Sequence, residues 1–202
     1  MAKQFARIED NHKSFIARQR IFFTVSAAEG TRVNVSPRPT EALRLLDDLT
    51  AIYLDKTGSG NETAAHLLID GRLTLMFCAF EGPPVILRLY GKGRMIRRDG
   101  AEYLALLDAH YGGEEPPGAR QSIRLDIDLV QTSCGYGVPL FDYQGERPNL
   151  DRWAEAKGED GLHAYWREKN LTSMDGLPTG LLDHEKPAST FSRPAPEEEL
   201  VS

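Results

Sequence analysis

Arg32 opens the run Arg32-Val33-Asn34-Val35-Ser36, in which polar and apolar residues alternate as they do along a strand. A guanidinium fixed on one strand face can grip a phosphate with two parallel hydrogen bonds. The same residue can equally be a solvated strand arginine. Arg88 sits among Val85, Ile86, Leu87, Leu89 and Tyr90; it either points outward by alternation or pairs with an anion. A further place for an anion lies at residues 53–67, where an apolar run breaks at Thr57-Gly58-Ser59-Gly60 and a helical pattern follows. Strand, tight turn and helix N-terminus bring free backbone N–H groups to one point. Ser59 followed by Glu62 is also a capping-box spacing. That pattern starts a helix without any ligand, and it sets the Glu62 carboxylate at the positive pole that a phosphate would need.

Other chemistry is sparse. His12, His110, His163 and His184 are scattered without metal-ligand spacing, and His66 reads as a helix residue near the core. No metal site is expected. Cys78 lies in an apolar run and reads as a small core residue, whereas Cys134 falls in the loop-like Ser133-Cys134-Gly135-Tyr136-Gly137. No nucleophile elbow, phosphate loop or dinucleotide fingerprint is present. An enzyme built this way would borrow its chemistry from an organic cofactor.

The elements that must position these residues are mostly strands. Residues 8–19 suit a helix with Ile8, Phe15 and Ile16 inward; residues 21–26 are aromatic and β-branched, and residues 32–36 suit a hairpin partner ended by Pro37 and Pro39. Further strands are expected at 49–54, 72–80 and 85–96, the last bent by Gly91 and Gly93. Residues 101–110 predict a helix with Tyr103, Leu104, Leu106 and Leu107 on one face. Ile123, Leu125, Ile127 and Leu129 alternate strictly in residues 121–130, which marks a half-buried strand. At least six closely spaced strands with few helices predict a mainly β protein, an antiparallel barrel with flanking helices. Residues 1–133 would form the barrel. Residues 134–182 read as a helical C-terminal appendage, with short helices at 150–156 and 161–170, and residues 183–202 as a disordered Pro-, Ser- and Glu-rich tail.

At 202 residues the chain suffices for one substantial core. Its net charge of −6 argues against a nucleic-acid or anionic-membrane binder. Two unclustered cysteines and a charged N-terminus point to a cytoplasmic protein, and no apolar run reaches membrane-spanning length.

Taken in order, Arg32-Val33-Asn34-Val35-Ser36-Pro37, Gly58-Ser59-Gly60-Asn61-Glu62-Thr63-Ala64-Ala65-His66-Leu67, Gly71-Arg72-Leu73-Thr74-Leu75-Met76-Phe77 and Leu89-Tyr90-Gly91-Lys92-Gly93 resemble the pyridoxamine 5'-phosphate oxidase-like family, the FMN-binding split barrels. The resemblance spans residues 10–133. Beyond it, Ser133-Cys134-Gly135-Tyr136-Gly137-Val138-Pro139 and Ser173-Met174-Asp175-Gly176-Leu177-Pro178 resemble the C-terminal segment of a bacterial subgroup distinct from the authentic oxidase. The resemblance implies a six-stranded split β-barrel that forms a homodimer with FMN at the interface, and a flavin-dependent oxidoreductase acting on a small molecule or NAD(P)H. It implies that Arg32 holds the flavin phosphate, that Val33, Asn34, Val35 and Ser36 run beside the ring system, and that Asn61, Glu62 and Thr63 are further ligands; Arg88 is carried as an additional candidate. The authentic oxidase has an Arg-Lys pair where this chain has Asn61-Glu62, and a lysine where it has Pro37, with Arg38 adjacent as a substitute. Oxidation of pyridoxamine 5'-phosphate itself is therefore not implied. The alternative is a non-catalytic module that stores or senses flavin or haem.

Overall fold

The structure is a computed structural model and describes residues 2–183. Strands β1 (Lys3–Phe5), β2 (Ile21–Ser26), β3 (Asn34–Pro39), β4 (Leu43–Leu45), β5 (Thr50–Lys56), β6 (Arg72–Cys78), β7 (Val85–Arg97) and β8 (Ala119–Cys134) form one curled antiparallel sheet. Its order is β3-β2-β6-β7-β8-β5-β4, with β1 added beside the C-terminal half of β8. The count is eight among the described residues, not six, because the three-residue strands β1 and β4 are too short to carry a period of their own.

β3 runs through Pro37 and Pro39 instead of ending at them. It pairs only with β2, so the missing proline N–H groups face a free edge. On β2, Phe22, Thr24 and Ser26 point inward while Ile21, Phe23 and Val25 are half-buried on the outer face. Phe22 joins Leu75, Phe77, Leu87, Leu89, Ile123 and Leu125 in the main core, which helix α1 (Asp10–Arg18) caps with Phe15 and Ile16, while Thr24 and Ser26 are buried polar residues.

β8 departs from strict alternation. Opposite β7, Leu129 pairs with Tyr90 while Ile127 pairs with Gly91, so Asp128 is an extra residue in a bulge. The slip turns Val130, rather than Leu129, into the core. A Cβ on Gly91 would lie 1.9 Å from the Asp126 carbonyl oxygen, so only glycine allows the strands to close here. Cys134 is the last residue of β8 rather than a loop residue.

The curl brings the ends of the sheet face to face. Arg38 on β3 meets Asp55 on β5 at 2.8 Å, and Phe22 on β2 sets its ring edge-on to Tyr53 on β5 with centroids 5.4 Å apart. The split is therefore closed by side chains and not by a backbone ladder.

Helix α2 (Glu62–Ile69) packs on β2, β6 and β7. Helix α3 (Ala101–Tyr111) buries Tyr103 and Leu107 against Leu54 and Ile96; Leu104 is exposed, because the inward pair is one helical turn apart. The two short helices expected after residue 150 are the halves of α4 (Asn149–Lys169), separated by non-helical backbone at Gly158. Ala154, Leu162 and Trp166 bury with Leu181 and Leu182 in a second core. The tail expected beyond Asp183 lies outside the described residues. No helix among them is long and apolar enough to cross a membrane.

Candidate functional site

Asp55 stands at the end of β5 and is fully buried. It accepts hydrogen bonds from Arg120 Nε at 2.9 Å and Gln121 Nε2 at 2.8 Å, besides its ion pair with Arg38. Burial alone would push this carboxyl up, but the Arg120 and Arg38 charges and the Gln121 bond outweigh it and hold it below the ordinary carboxylate range. From this hub the turn at residues 57–61 is fixed atom by atom. Arg120 donates to the Gly60 carbonyl at 2.9 Å, Asn170 Nδ2 to the Gly58 carbonyl at 3.1 Å, and Gln121 Nε2 to Asn61 Oδ1 at 2.7 Å. Thr57 bonds the Gly118 carbonyl and accepts from Trp166 Nε1 at 2.8 Å.

The helix after the turn begins differently from the capping-box expectation. Asn61, not Ser59, precedes the first turn of α2, and no side chain caps it. Glu62 does not reach back; its carboxylate accepts the Met174 N–H at 3.1 and 3.2 Å. The reason is tertiary: the segment after α4 folds into a small hairpin, bridged at Thr172 and Pro178, whose tip lies on the start of α2. Its next residue, Asp175, accepts the Arg32 N–H at 2.9 Å and forms an ion pair with the Arg32 guanidinium. That N–H, the guanidinium charge and then His66 hold the Asp175 carboxyl below its ordinary value.

Arg32, Asn34, Ser36, Glu62 and Thr63 therefore share one mouth between β3 and α2. Asn34 Nδ2 donates to Thr63 Oγ1 at 3.1 Å, and Ser36 Oγ donates to Asn34 Oδ1 at 3.2 Å. Behind them, the buried His66 places Nδ1 3.0 Å from Ser26 Oγ and leaves Nε2 without a hydrogen-bond partner. Val33 and Val35 point away, 64% and 56% exposed. Asn61 turns inward to Gln121 and is buried. Arg88 lies elsewhere, outward on β7 between the buried Leu87 and Leu89, and donates to Ser133 Oγ at 3.2 Å. Arg38 faces the split, where it forms an ion pair with Asp55. Sequence reasoning missed Asp175, Met174 and Arg120. The Asp175-Gly176 pair is a turn signal, but nothing local says where that turn docks.

Two other features frame the mouth. At the split, Pro37, Arg38, Leu54, Lys56, Phe80 and Tyr143 line a cleft of about 1670 Å³, so β3 leads from Arg32 to the cleft. On the outer face, strand register aligns Val35, Val25, Thr74, Tyr90 and Leu129 in one row and Pro37, Phe23, Met76, Arg88 and Gln131 in the next. Among the described residues no three His, Cys, Asp or Glu side chains gather to hold a metal.

Comparison with known proteins agrees with this architecture. The family model for pyridoxamine 5'-phosphate oxidase matches residues 8–134. The pyridoxamine 5'-phosphate oxidase family protein ustO of Aspergillus flavus is 37% identical over 190 residues, covering 86% of this chain and 76% of that protein. HupZ of Group A Streptococcus, in the crystal structure of a single-residue variant, superposes with a TM-score of 0.51 at 20% identity over 62% of this chain and 99% of HupZ. A putative pyridoxamine 5'-phosphate oxidase from Lactobacillus delbrueckii gives a TM-score of 0.48 at 16% identity, over 62% of this chain and 94% of that one. The ordered motifs, the curled antiparallel sheet and the family match over most of that sheet lead to one assignment: this chain belongs to the pyridoxamine 5'-phosphate oxidase family.

Proposed function

We propose that the protein binds FMN at the mouth between β3 and α2 and works as a homodimeric, flavin-dependent oxidoreductase on a small molecule. The observation that carries this reading is the anion seat at Arg32. A carboxylate, that of Asp175, already rests on the Arg32 N–H and guanidinium, as a phosphate oxygen pair would. The Asn34 amide and the Ser36 and Thr63 hydroxyls add neutral hydrogen-bonding groups at the same mouth, so the donor set suits a phosphate monoester.

Arg32 would hold the phosphate, with Asn34 and Thr63 beside it. The strand from Arg32 to Pro37 spans about 17 Å at ~3.3 Å per residue, enough to run beside a ligand of flavin length toward the cleft. The flavin would supply hydride transfer when bound. The chain's part is binding and orientation: the Asp55–Arg120–Gln121 hub fixes the turn before α2, so Thr63 is presented from a rigid support. The half-buried apolar residues of the outer rows, Phe23, Val25 and Met76, favour a second copy over water on that face, which would bring the partner's sheet beside the mouth.

Purified protein should carry, or take up, FMN with the flavin absorption band and a thermal shift. A colourless protein without any shift on adding FMN would sink the reading. Anaerobic addition of NADH or NADPH then separates the oxidoreductase, which bleaches the band, from a binding module, which leaves it unchanged.

A further inference from the structure

The hairpin at residues 171–179 has a root buried in the second core and a tip tied to the sheet and α2 by polar contacts. At the root, Asn170 and Thr179 are fully buried, Thr179 Oγ1 donates to the Asn170 carbonyl at 2.6 Å, and Leu181 and Leu182 pack into the second core with Trp166. The hairpin closes on itself through the Ser173 N–H to the Leu177 carbonyl at 2.8 Å and the Gly176 N–H to the Ser173 carbonyl at 3.0 Å. The tip's polar ties to the rest of the molecule are of another kind: Asp175 to Arg32, and the Met174 N–H to Glu62. Met174 itself is 70% exposed and adds no buried apolar anchor.

The Arg32 side chain of this pair is 71% exposed while that of Asp175 is 11% exposed, so a competing ion reaches the guanidinium from solvent, where an ion pair holds its partner weakly. A phosphate needs the same Arg32 N–H and guanidinium that the Asp175 carboxylate occupies, and two anions cannot share them. Releasing the tip also strips Glu62 of its donor and leaves a second negative charge beside the seat.

We propose that Asp175 is a built-in competitor for the anion seat: the hairpin tip is a latch that must leave Arg32 before a phosphate-bearing ligand can occupy it. The flavin case rests on the proposed function; the latch itself requires only that the ligand be an organic phosphate or phosphate-like anion. Asp175 thereby sets both the affinity and the selectivity of the site, since a weakly held anion fails to displace it.

The test uses the full-length protein titrated with FMN by fluorescence quenching, in the wild type, Asp175→Asn, Asp175→Asn/Glu62→Gln and Arg32→Ala. Asp175→Asn should tighten FMN about tenfold, the double variant should bind more tightly still, and Arg32→Ala should weaken it. Amide exchange supplies an independent readout: FMN should speed exchange at Met174 while Ser173, bonded within the hairpin, keeps its protection. Equal affinities with unchanged Met174 exchange would overturn the latch and leave the flavin reading standing. Weaker binding by Asp175→Asn would overturn it too, by making Asp175 part of the ligand's own support. If no variant binds FMN, the flavin reading fails and inorganic phosphate decides. Phosphate that frees the Met174 amide in the wild type, at lower concentration in Asp175→Asn, upholds the latch; phosphate without effect refutes it.

Discussion

Asp55 shows how one buried carboxylate can organise a site it does not enter. Its partners Arg120 and Arg38 come from β8 and β3, so the Arg38 pair ties the split closed while Arg120, on the neighbouring strand, holds the turn. Removing the charge leaves two arginines short of a counterion in a buried place, and Asp55→Asn should cost about 3–5 kcal/mol in urea unfolding. The pH dependence follows in sign. The folded carboxyl titrates below its unfolded value of about 4, so its contribution is present above that pH and lost as the pH falls through the folded value. Wild-type stability should decline below about pH 4, and the Asp55→Asn variant should lack that part of the decline. Arg38 and Arg32 are equally visible as basic residues on one strand, yet they do unlike work. Arg38 faces inward to Asp55, whereas Arg32 lies before the strand proper and is 71% exposed in its side chain.

At the scale of elements, periodicity predicted strands where apolar residues alternate and failed where a neighbour interrupts the ladder. β8 alternates cleanly through Ile127, and the sequence carries no mark of the bulge at Asp128, because a bulge belongs to a pair of strands. Its counterpart is the glycine-only approach at Gly91. Gly91→Ala should cost about 1–3 kcal/mol by thermal or denaturant unfolding, more than Gly93→Ala. A Cβ at Gly93 meets the flexible ends of Leu73 and Leu67 at 2.6 and 2.9 Å, whereas at Gly91 it meets backbone. The start of α2 teaches the same lesson. Ser59 and Glu62 have capping-box spacing, but a longer-range donor, the Met174 N–H, captures Glu62 instead. Local hydrogen bonds compete with tertiary ones, and here the docked hairpin won.

Across the whole molecule, the C-terminal segment is joined to the sheet through a few buried atoms. Trp166 Nε1 reaches Thr57, and Asn170 reaches both Arg120 and Gly58. Trp166→Phe, which keeps part of the ring, should cost about 1–3 kcal/mol for the lost buried hydrogen bond, although the Thr57 hydroxyl keeps its bond to the Gly118 carbonyl. It should raise amide exchange at residues 57–61 more than in β2; equal protection throughout would show that the segment is docked without supporting the turn. The outer rows give the assembly prediction. If a second copy covers them, wild-type protein should sediment as a dimer and Met76→Glu as a monomer, since a buried unpaired carboxylate opposes association.

The amino-acid sequence by itself determined the mainly β class, the positions of the long strands, and Arg32 and Glu62 as residues of interest, because strand period and turn chemistry are local properties; Asn34, Ser36 and Thr63 entered only through the resemblance to the family. The outward face of Arg88 was legible as one of two alternatives for the same reason. Only the tertiary structure decided which of these residues meet. The Asp55–Arg120 hub joins residues 65 apart, and the Arg32–Asp175 pair joins residues 143 apart. Contacts of that separation depend on how the sheet curls and where the last hairpin docks. No local spacing records either one.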